Sequence, residues 1–220
     1  MTIKQSLKYC VAASFAAATL FTTMAQTKLP APAHLADGIS LERALQLRKS
    51  IRNFDSAQTI DSTTMSNLLW AAAGINRPDG HRTNPTAMNT QEIDIYVFTP
   101  QGVSLYDFRE HALRPVVDGD YRALVAGTAA FSQDFVLQAP VSLVLVADLS
   151  RFERASDRNL LMAMADAGIV SQNINLFCAA SGLGTVTRAT MDADGIRQLL
   201  GLDSSCVALL NNPVGYLSQK

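Results

Sequence analysis

Arg48-Lys49-Ser50-Ile51-Arg52-Asn53-Phe54 is the stretch from which this chain is read. Arg48, Lys49 and Arg52 put three cations beside the hydroxyl of Ser50, in a chain of 220 residues whose formal net charge is only −1. Just before it, Ser40 is a good helix cap, Glu42 suits the positive end of a helix, and Leu41, Ala44, Leu45 and Leu47 recur with helical spacing as an inward face. The helix therefore runs into the cations. Arg48 and Lys49 fit a helix C-terminus, where the dipole favours positive charge, but Arg52 lies beyond it. Two readings stand: a basic helix end facing water, and a site for an anionic ligand.

Further upstream, Met1 to Lys8 holds lysine and no acid, Tyr9 to Met24 is apolar, small or hydroxylic, and Thr23-Met24-Ala25 offers small residues for cleavage before Gln26. Residues 1–25 read as a secretory signal peptide. A permanent span is the competing reading, but the apolar run is shorter than the roughly 20 residues a bilayer needs. The expectation is an exported protein, destined for the periplasm, with no stable membrane span after cleavage. Residues 26–39, with Pro30 and Pro32 and no periodicity, read as an extended leader lying on the surface or disordered. Residues 40–220 form one domain. Its nearly balanced charge argues against nucleic acid as a partner. Cys178 and Cys206 lie in apolar runs, as buried free thiols do, although an oxidising compartment leaves a bridge between them as the alternative.

Downstream of the basic stretch, Asp61 or Ser62 caps a second helix with Met65, Leu68, Leu69 and Ala72 inward and a glycine stop at Gly74. Residues 76–89 form a long loop rich in Pro, Asn, Gly and Thr, which in a compact domain is more often functional than idle. Ile93 to Phe98 alternates as a strand and turns at Pro100-Gln101-Gly102 into a second, Val103 to Phe108. Tyr121 to Gln138 reads as helical. Val141 to Ala147 suits a strand covered on both faces. Asn159 to Ser181, closed by Gly182, is apolar on nearly every side and reads as a central buried helix. Thr185 to Thr187 is extended, Asp192 caps a short helix through Leu200, and Cys206 to Leu210 is a last strand. The sum is an α+β fold with four or five strands and helices on both faces.

The residues exclude several chemistries. There is no Cys-x-x-Cys or His-Glu-x-x-His, and His34, His81 and His111 are scattered singly, so no metal site is expected. No Gly-x-Ser-x-Gly elbow occurs. Ser181-Gly182-Leu183-Gly184 follows a helix rather than a strand and lacks a third glycine, so it is not a dinucleotide loop. What remains favours an anion. Arg48 and Ser50, two residues apart, can face one way, and a guanidinium with a hydroxyl binds phosphate oxygens well. Asn89 and Gln91 offer amides that both donate and accept, which suits a planar heterocycle.

Arg48 to Phe54 resembles the Arg-x-Ser-x-Arg/Lys-x-Phe opening of the nitroreductase family of FMN flavoproteins. Pro85-Thr86-Ala87-Met88-Asn89-Thr90-Gln91 resembles the family's Pro-Ser-x-x-Asn-x-Gln loop. Asp166-Ala167-Gly168, Gln172-Asn173-Ile174, Leu176 and Gly182-Leu183-Gly184-Thr185 are similar to its central helix and following turn, and Val214-Gly215-Tyr216 to its closing strand. The resemblance implies an α+β domain with a central, mainly antiparallel sheet, working as a homodimer with two flavins at the interface. Arg48 and Ser50 would hold the FMN phosphate and ribityl chain, with Lys49 assisting. Arg52 would stand near N1 and O2 of the isoalloxazine and act in catalysis by stabilising the reduced state. Pro85, Thr86, Ala87, Asn89 and Gln91 would come from the partner subunit. Arg188, Ala189 and Thr190 would bring backbone N–H groups near N5 and O4.

The implied activity is FMN-dependent transfer of two electrons, by a ping-pong exchange, from a reduced donor to a small acceptor such as a nitroaromatic or quinone. NAD(P)H is the family's usual donor; outside the cytoplasm a substitute is expected. Two departures stand out. Glu92-Ile93 follows the loop where Pro-Trp is common, and Lys220 is the only cation near the C-terminus, where many members have Lys and Arg for the phosphate. These favour, as alternatives, a non-catalytic flavin-binding protein or, from the closer likeness of residues 77–120 to the azoline-dehydrogenase branch, a dehydrogenase of heterocycles in modified peptides. No Lys-Tyr pair for the latter chemistry is evident.

Overall fold

The computed structural model describes residues 25–33, 38–154 and 156–218; the stretch read as a signal peptide, through Met24, the middle of the leader and Lys220 lie outside the described residues. In chain order the elements are β1 (Thr27–Lys28), α1 (Leu41–Leu47), α2 (Ser62–Ala73), β2 (Ile93–Phe98), β3 (Gly102–Asp107) and β4 (Ala112–Asp118). After them come α3 (Arg122–Ala126), a short ribbon of β5 (Gly127–Thr128) and β6 (Phe131–Ser132), and a 3₁₀ turn at Asp134–Gln138. The chain ends with β7 (Val141–Asp148), α4 (Asp157–Ala180), β8 (Leu183–Thr185), α5 (Ala193–Leu199) and β9 (Cys206–Tyr216).

The α+β class holds, on a larger sheet than expected. Seven strands, all paired antiparallel, run in the order β1-β4-β3-β2-β7-β9-β8. Two of the extra strands had specific disguises. Pro115 interrupts β4, yet it lies past the two-residue β1 and beside the bulge between Val103 and Ser104, where the ladder is already irregular. The leader hides β1. It is not loose: Leu29 is buried, its N–H donates to the His111 carbonyl (3.1 Å), Ser66 donates to the Pro30 carbonyl (2.7 Å), and the Ala33 N–H donates to Asn67 Oδ1 (2.8 Å).

β7 lies between β2 and β9 and is buried from Val141 through Ala147, as its unbroken apolar run requires. On one face α2 and α4 bring Leu68, Leu69, Ile174 and Phe177 over Ile93, Ile95, Leu143 and Leu145. On the other, Val125, Val136 and Ile196 cover Phe98, Val144 and Val146. Helices thus cover both faces.

Four local readings need correction. Residues 121–138 are not one helix, because Gly127, at φ 155, ends α3 after five residues and opens the β5–β6 ribbon. Gly74 stops α2, but in an extended conformation (φ −77); a side chain there would put Cβ 2.4 Å from Trp70 Cδ1, so close packing requires the glycine. In α1 only Ala44 is buried, and Leu41, Leu45 and Leu47 are exposed. The long helix α4 is buried on one side only: Leu160, Leu161, Met164 and Ile169 face out. Gly182, at φ 71, does terminate it as read. Both described cysteines are free, and burial pushes the Cys178 thiol up. Among the described residues no helix is long and apolar enough to cross a membrane.

Candidate functional site

The basic stretch leaves α1 at Arg48, whose backbone is already extended (ψ 121), and is then laid against the sheet edge. The Ile51 N–H donates to the Thr185 carbonyl of β8 (2.9 Å), the Asp55 N–H donates to the Tyr216 carbonyl of β9 (2.9 Å), and Phe54 bridges to Leu217. Two glycines permit this approach. A Cβ on Gly184 would fall 2.6 Å from Ile51 Cγ2, and one on Gly215 would fall 3.2 Å from Phe54 Cδ1. With Ile51 and Phe54 turned inward, Arg48, Lys49, Ser50 and Arg52 stand exposed. Beside them a cavity of about 230 Å³ is lined by Lys49, Ile51, Asn175, Cys178 and Thr185.

No acidic group pairs with Arg48, Lys49 or Arg52 among the described residues, and the Ser50 hydroxyl has no partner there. Elsewhere Arg114, Arg122 and Arg151 each face an aspartate. Only Lys49 of the set lines the cavity itself; Arg48, Ser50 and Arg52 stand exposed beside it, a grouping of cations and a hydroxyl whose chemistry suits an anion.

The loop at 85–91 is held at the far end of α4. The Asp166 carboxylate accepts the Ala87 N–H (2.7 Å), Thr86 Oγ1 accepts the Gln91 N–H (2.9 Å), and the Thr90 hydroxyl donates to Glu92 Oε2 (2.6 Å). Met88 (φ 54), Asn89 (φ 55) and Gln91 (φ 51) are left-handed, a conformation that costs a non-glycine residue about 1 kcal/mol or more. Those contacts hold the strain. Buried Arg82 adds to them, donating to the carbonyls of Gln91 and Ile93 and lying 4.0 Å over the Phe108 ring. Pro85, Met88 and Asn89 consequently point out of the chain, while Thr86, Ala87 and Gln91 are half-buried.

At the third segment the expected residues separate. The Arg188 N–H donates to the Asn211 carbonyl (2.9 Å), so it is not available to a ligand. Its side chain donates to Gln133 Oε1, Asn211 Oδ1 and the carbonyls of Val125 and Ala126, and lies 5.4 Å over the Phe135 ring. Arg188 is thus an internal clamp on the β5–β6 region. The N–H groups of Ala189 and Thr190 have no partner among the described residues, and Ala189 is exposed.

Several participants carried no recognisable sequence signal. Arg82 and Glu92 are single charged residues in a loop and at a strand start, and only their burial marks them. Ser171 of α4 contacts Thr187 Oγ1 (2.7 Å) and donates to Asn212 Oδ1 (2.7 Å), joining α4 to the segment after β8. An alternating pattern in β9 would have placed one of Asn211 and Asn212 outward; both are fully buried.

The two motifs do not meet within one chain. The cavity beside the basic stretch reaches Cys178, whereas the loop is tied to Asp166, and at 1.5 Å per residue these lie roughly 18 Å apart along α4.

Comparison with known proteins gives the family. The family model described as the nitroreductase family matches residues 45–216. A Methanocaldococcus jannaschii protein, nitroreductase by name, is 30% identical over 184 residues, covering 80% of this chain and 91% of its own. A Ralstonia eutropha crystal structure, also titled a nitroreductase, superposes with a TM-score of 0.81 at 33% identity, over 90% of this chain and 92% of that one. The E. coli microcin synthetase complex with truncated pro-MccB17 bound reaches a TM-score of 0.65 at 19% identity, over 82% and 74% of the two chains, and so shares the fold alone. With the matched model spanning the basic stretch, the loop, α4 and the closing strand, the chain belongs to the nitroreductase family.

Proposed function

We propose that the chain is an FMN-dependent oxidoreductase that works as a homodimer, with each flavin held between subunits. The observation that carries this reading is the exposed, unpaired set Arg48, Lys49, Ser50 and Arg52 beside its cavity. In a chain with nearly equal numbers of acids and bases, an anion supplies the missing counter-charge. Arg48, Lys49 and Ser50 would take the phosphate and ribityl chain. Arg52 would face the ring edge where negative charge collects on reduction. Bound FMN supplies two-electron redox chemistry; the chain's own residues bind it, orient it and set the field around it.

Two features support a second copy at the site. The basic stretch and the loop stand roughly 18 Å apart along α4, so a partner's loop is needed to bring Asn89 and Gln91 to the same ligand. The outward Leu41, Leu45, Leu47, Leu160, Leu161 and Met164 give α1 and α4 an apolar surface for that partner. The open N–H groups of Ala189 and Thr190 would serve the reacting edge of the ring. Donor and acceptor are small molecules exchanging in turn at one site. With export in the reading, the donor is NAD(P)H or an extracytoplasmic substitute, and the acceptor a nitroaromatic or quinone.

The test is direct. The mature chain should be yellow as purified, or take up added FMN with quenching of flavin fluorescence. It should then be reduced by a two-electron donor and reoxidised by a nitroaromatic. A colourless protein that leaves added FMN unbound refutes the reading.

A further inference from the structure

Glu92 is the residue at which the chain departs from the family pattern after the loop, and it is one of the largest fully buried side chains in the molecule. Its Oε2 accepts from the Thr90 hydroxyl (2.6 Å), while Oε1 is buried without a hydrogen-bond partner among the described residues. The neighbouring group is the carboxyl of Asp166, itself only 6% exposed and already accepting the Ala87 N–H. Two charged carboxylates side by side in such a place would repel each other, and the bare Oε1 would face nothing that donates. A single proton on Glu92 removes both problems, because it cancels the repulsion and turns a carboxyl oxygen into a donor that the Asp166 carboxylate can accept.

We propose that Glu92 and Asp166 share one proton and act together as the positioning pair of the loop 85–91, holding Asn89 and Gln91 in the geometry that reaches the partner subunit's flavin. Each carboxyl holds one end of the strained segment. Asp166 fixes Ala87 just before left-handed Met88 and Asn89, and Glu92 fixes Thr90 just before left-handed Gln91. Losing the proton turns mutual support into repulsion across the loop's two anchors.

The charged groups facing Glu92 are Asp166 from α4 and Arg82 from the preceding segment. Arg82 forms no ion pair with Glu92 among the described residues; its N–H groups go to the carbonyls of Gln91 and Ile93. Burial, opposed in part by the Thr90 hydroxyl and reinforced by Asp166, raises the Glu92 carboxyl above its ordinary 4.5. A carboxyl raised on folding contributes stability that is fully present below 4.5 and is lost as pH rises through the folded value. The loop should therefore be tightest in acid and loosen towards alkaline pH.

The inference about the loop's purpose rests on the flavin reading, and the shared proton can be tested without it. Infrared difference spectra of the flavin-free chain, stepped upward in pH from 4.5, should show a protonated carboxyl that persists above that value and is missing in Glu92→Gln. No such band in the wild type overturns the proposal, whatever the protein does with FMN. FMN affinity is then measured from pH 5.5 to 9.5. Wild-type affinity should fall as Glu92 loses its proton, by at most about tenfold per pH unit, the limit for one proton. Glu92→Gln, which keeps a donor toward Asp166 without titrating, should match the wild type within about twofold in acid and show no such fall. A Gln variant with the wild-type pH profile overturns the positioning role. Absence of FMN binding at every pH sinks the flavin reading and leaves the infrared result to judge the shared proton. Asp166→Asn is the second variant and should also abolish the pH step.

Discussion

Arg52 acts on its surroundings even without a ligand. It lies close enough to buried Arg188 to add to burial, the larger cause, in bringing that guanidinium down to about 10. Arg188 still carries its charge at neutral pH, so this end of the sheet holds a positive field from two directions. On the flavin reading, electrons arriving there would be stabilised by a charge that needs no reorganisation. Arg52→Ala should leave thermal stability nearly unchanged, since the side chain is exposed, but lower the reduction potential of bound FMN. Arg48→Ala should instead weaken FMN binding by about 2 to 4 kcal/mol, the scale of a charge-assisted phosphate contact. A redox titration and a fluorescence titration on each variant separate the roles; an unchanged potential in the Arg52 variant refutes its part. Of the candidate site, the exposure of Arg48, Lys49, Ser50 and Arg52 was legible, because cations at close spacing beyond a helix end are not buried without acidic partners. Arg188 was not, since its sequence context looks the same whether the guanidinium faces a ligand or, as here, four internal acceptors.

The leader shows how an element escapes sequence reading. A two-residue strand has no period, and Pro30 and Pro32 speak against order, yet Pro30 supplies a carbonyl that the fold uses. Ser66 donates to that carbonyl, so it accepts from His111 Nε2, which leaves His111 Nδ1 to accept from the Tyr106 hydroxyl (2.8 Å). This relay is set for neutral imidazole; a proton on Nδ1 would force the Tyr106 hydroxyl to turn its hydrogen away and accept instead. Burial is the main cause that lowers His111 from 6.5, with Lys28 adding repulsion and the Pro30 carbonyl opposing it. For a histidine lowered on folding, the unfolded chain binds the extra proton, so stability present above 6.5 is lost as pH falls below it. Protease susceptibility of the segment before residue 34 should therefore rise between pH 7 and 5. His111→Gln, which cannot titrate, should flatten that response. A wild-type rate independent of pH would count against the relay. By contrast α2, β2, β7 and α5 were all legible, each having a strong period, a cap, or an unbroken apolar run that one fold alone explains.

At the scale of the whole molecule, the two misjudged helices share one cause. Spacing alone turns the apolar residues of α1 and α4 inward, but Leu161 is 72% exposed and Leu41 67%. Composition counts apolar residues without saying which molecule covers them. On the homodimer reading they belong to a core completed by the second copy, and fully burying one leucine is worth about 2 kcal/mol. Leu161→Glu tests this with little risk to the fold, since the side chain makes no part of either internal core. The variant should keep the wild-type circular dichroism but sediment as a monomer, because a carboxylate placed in an apolar interface is costly unless paired. If the site needs the partner's Asn89 and Gln91, the same variant should bind FMN at least tenfold more weakly even though Arg48, Ser50 and Arg52 are untouched. Monomer formation with undiminished FMN affinity would mean that one chain holds the flavin unaided, and that the loop at 85–91 serves another purpose.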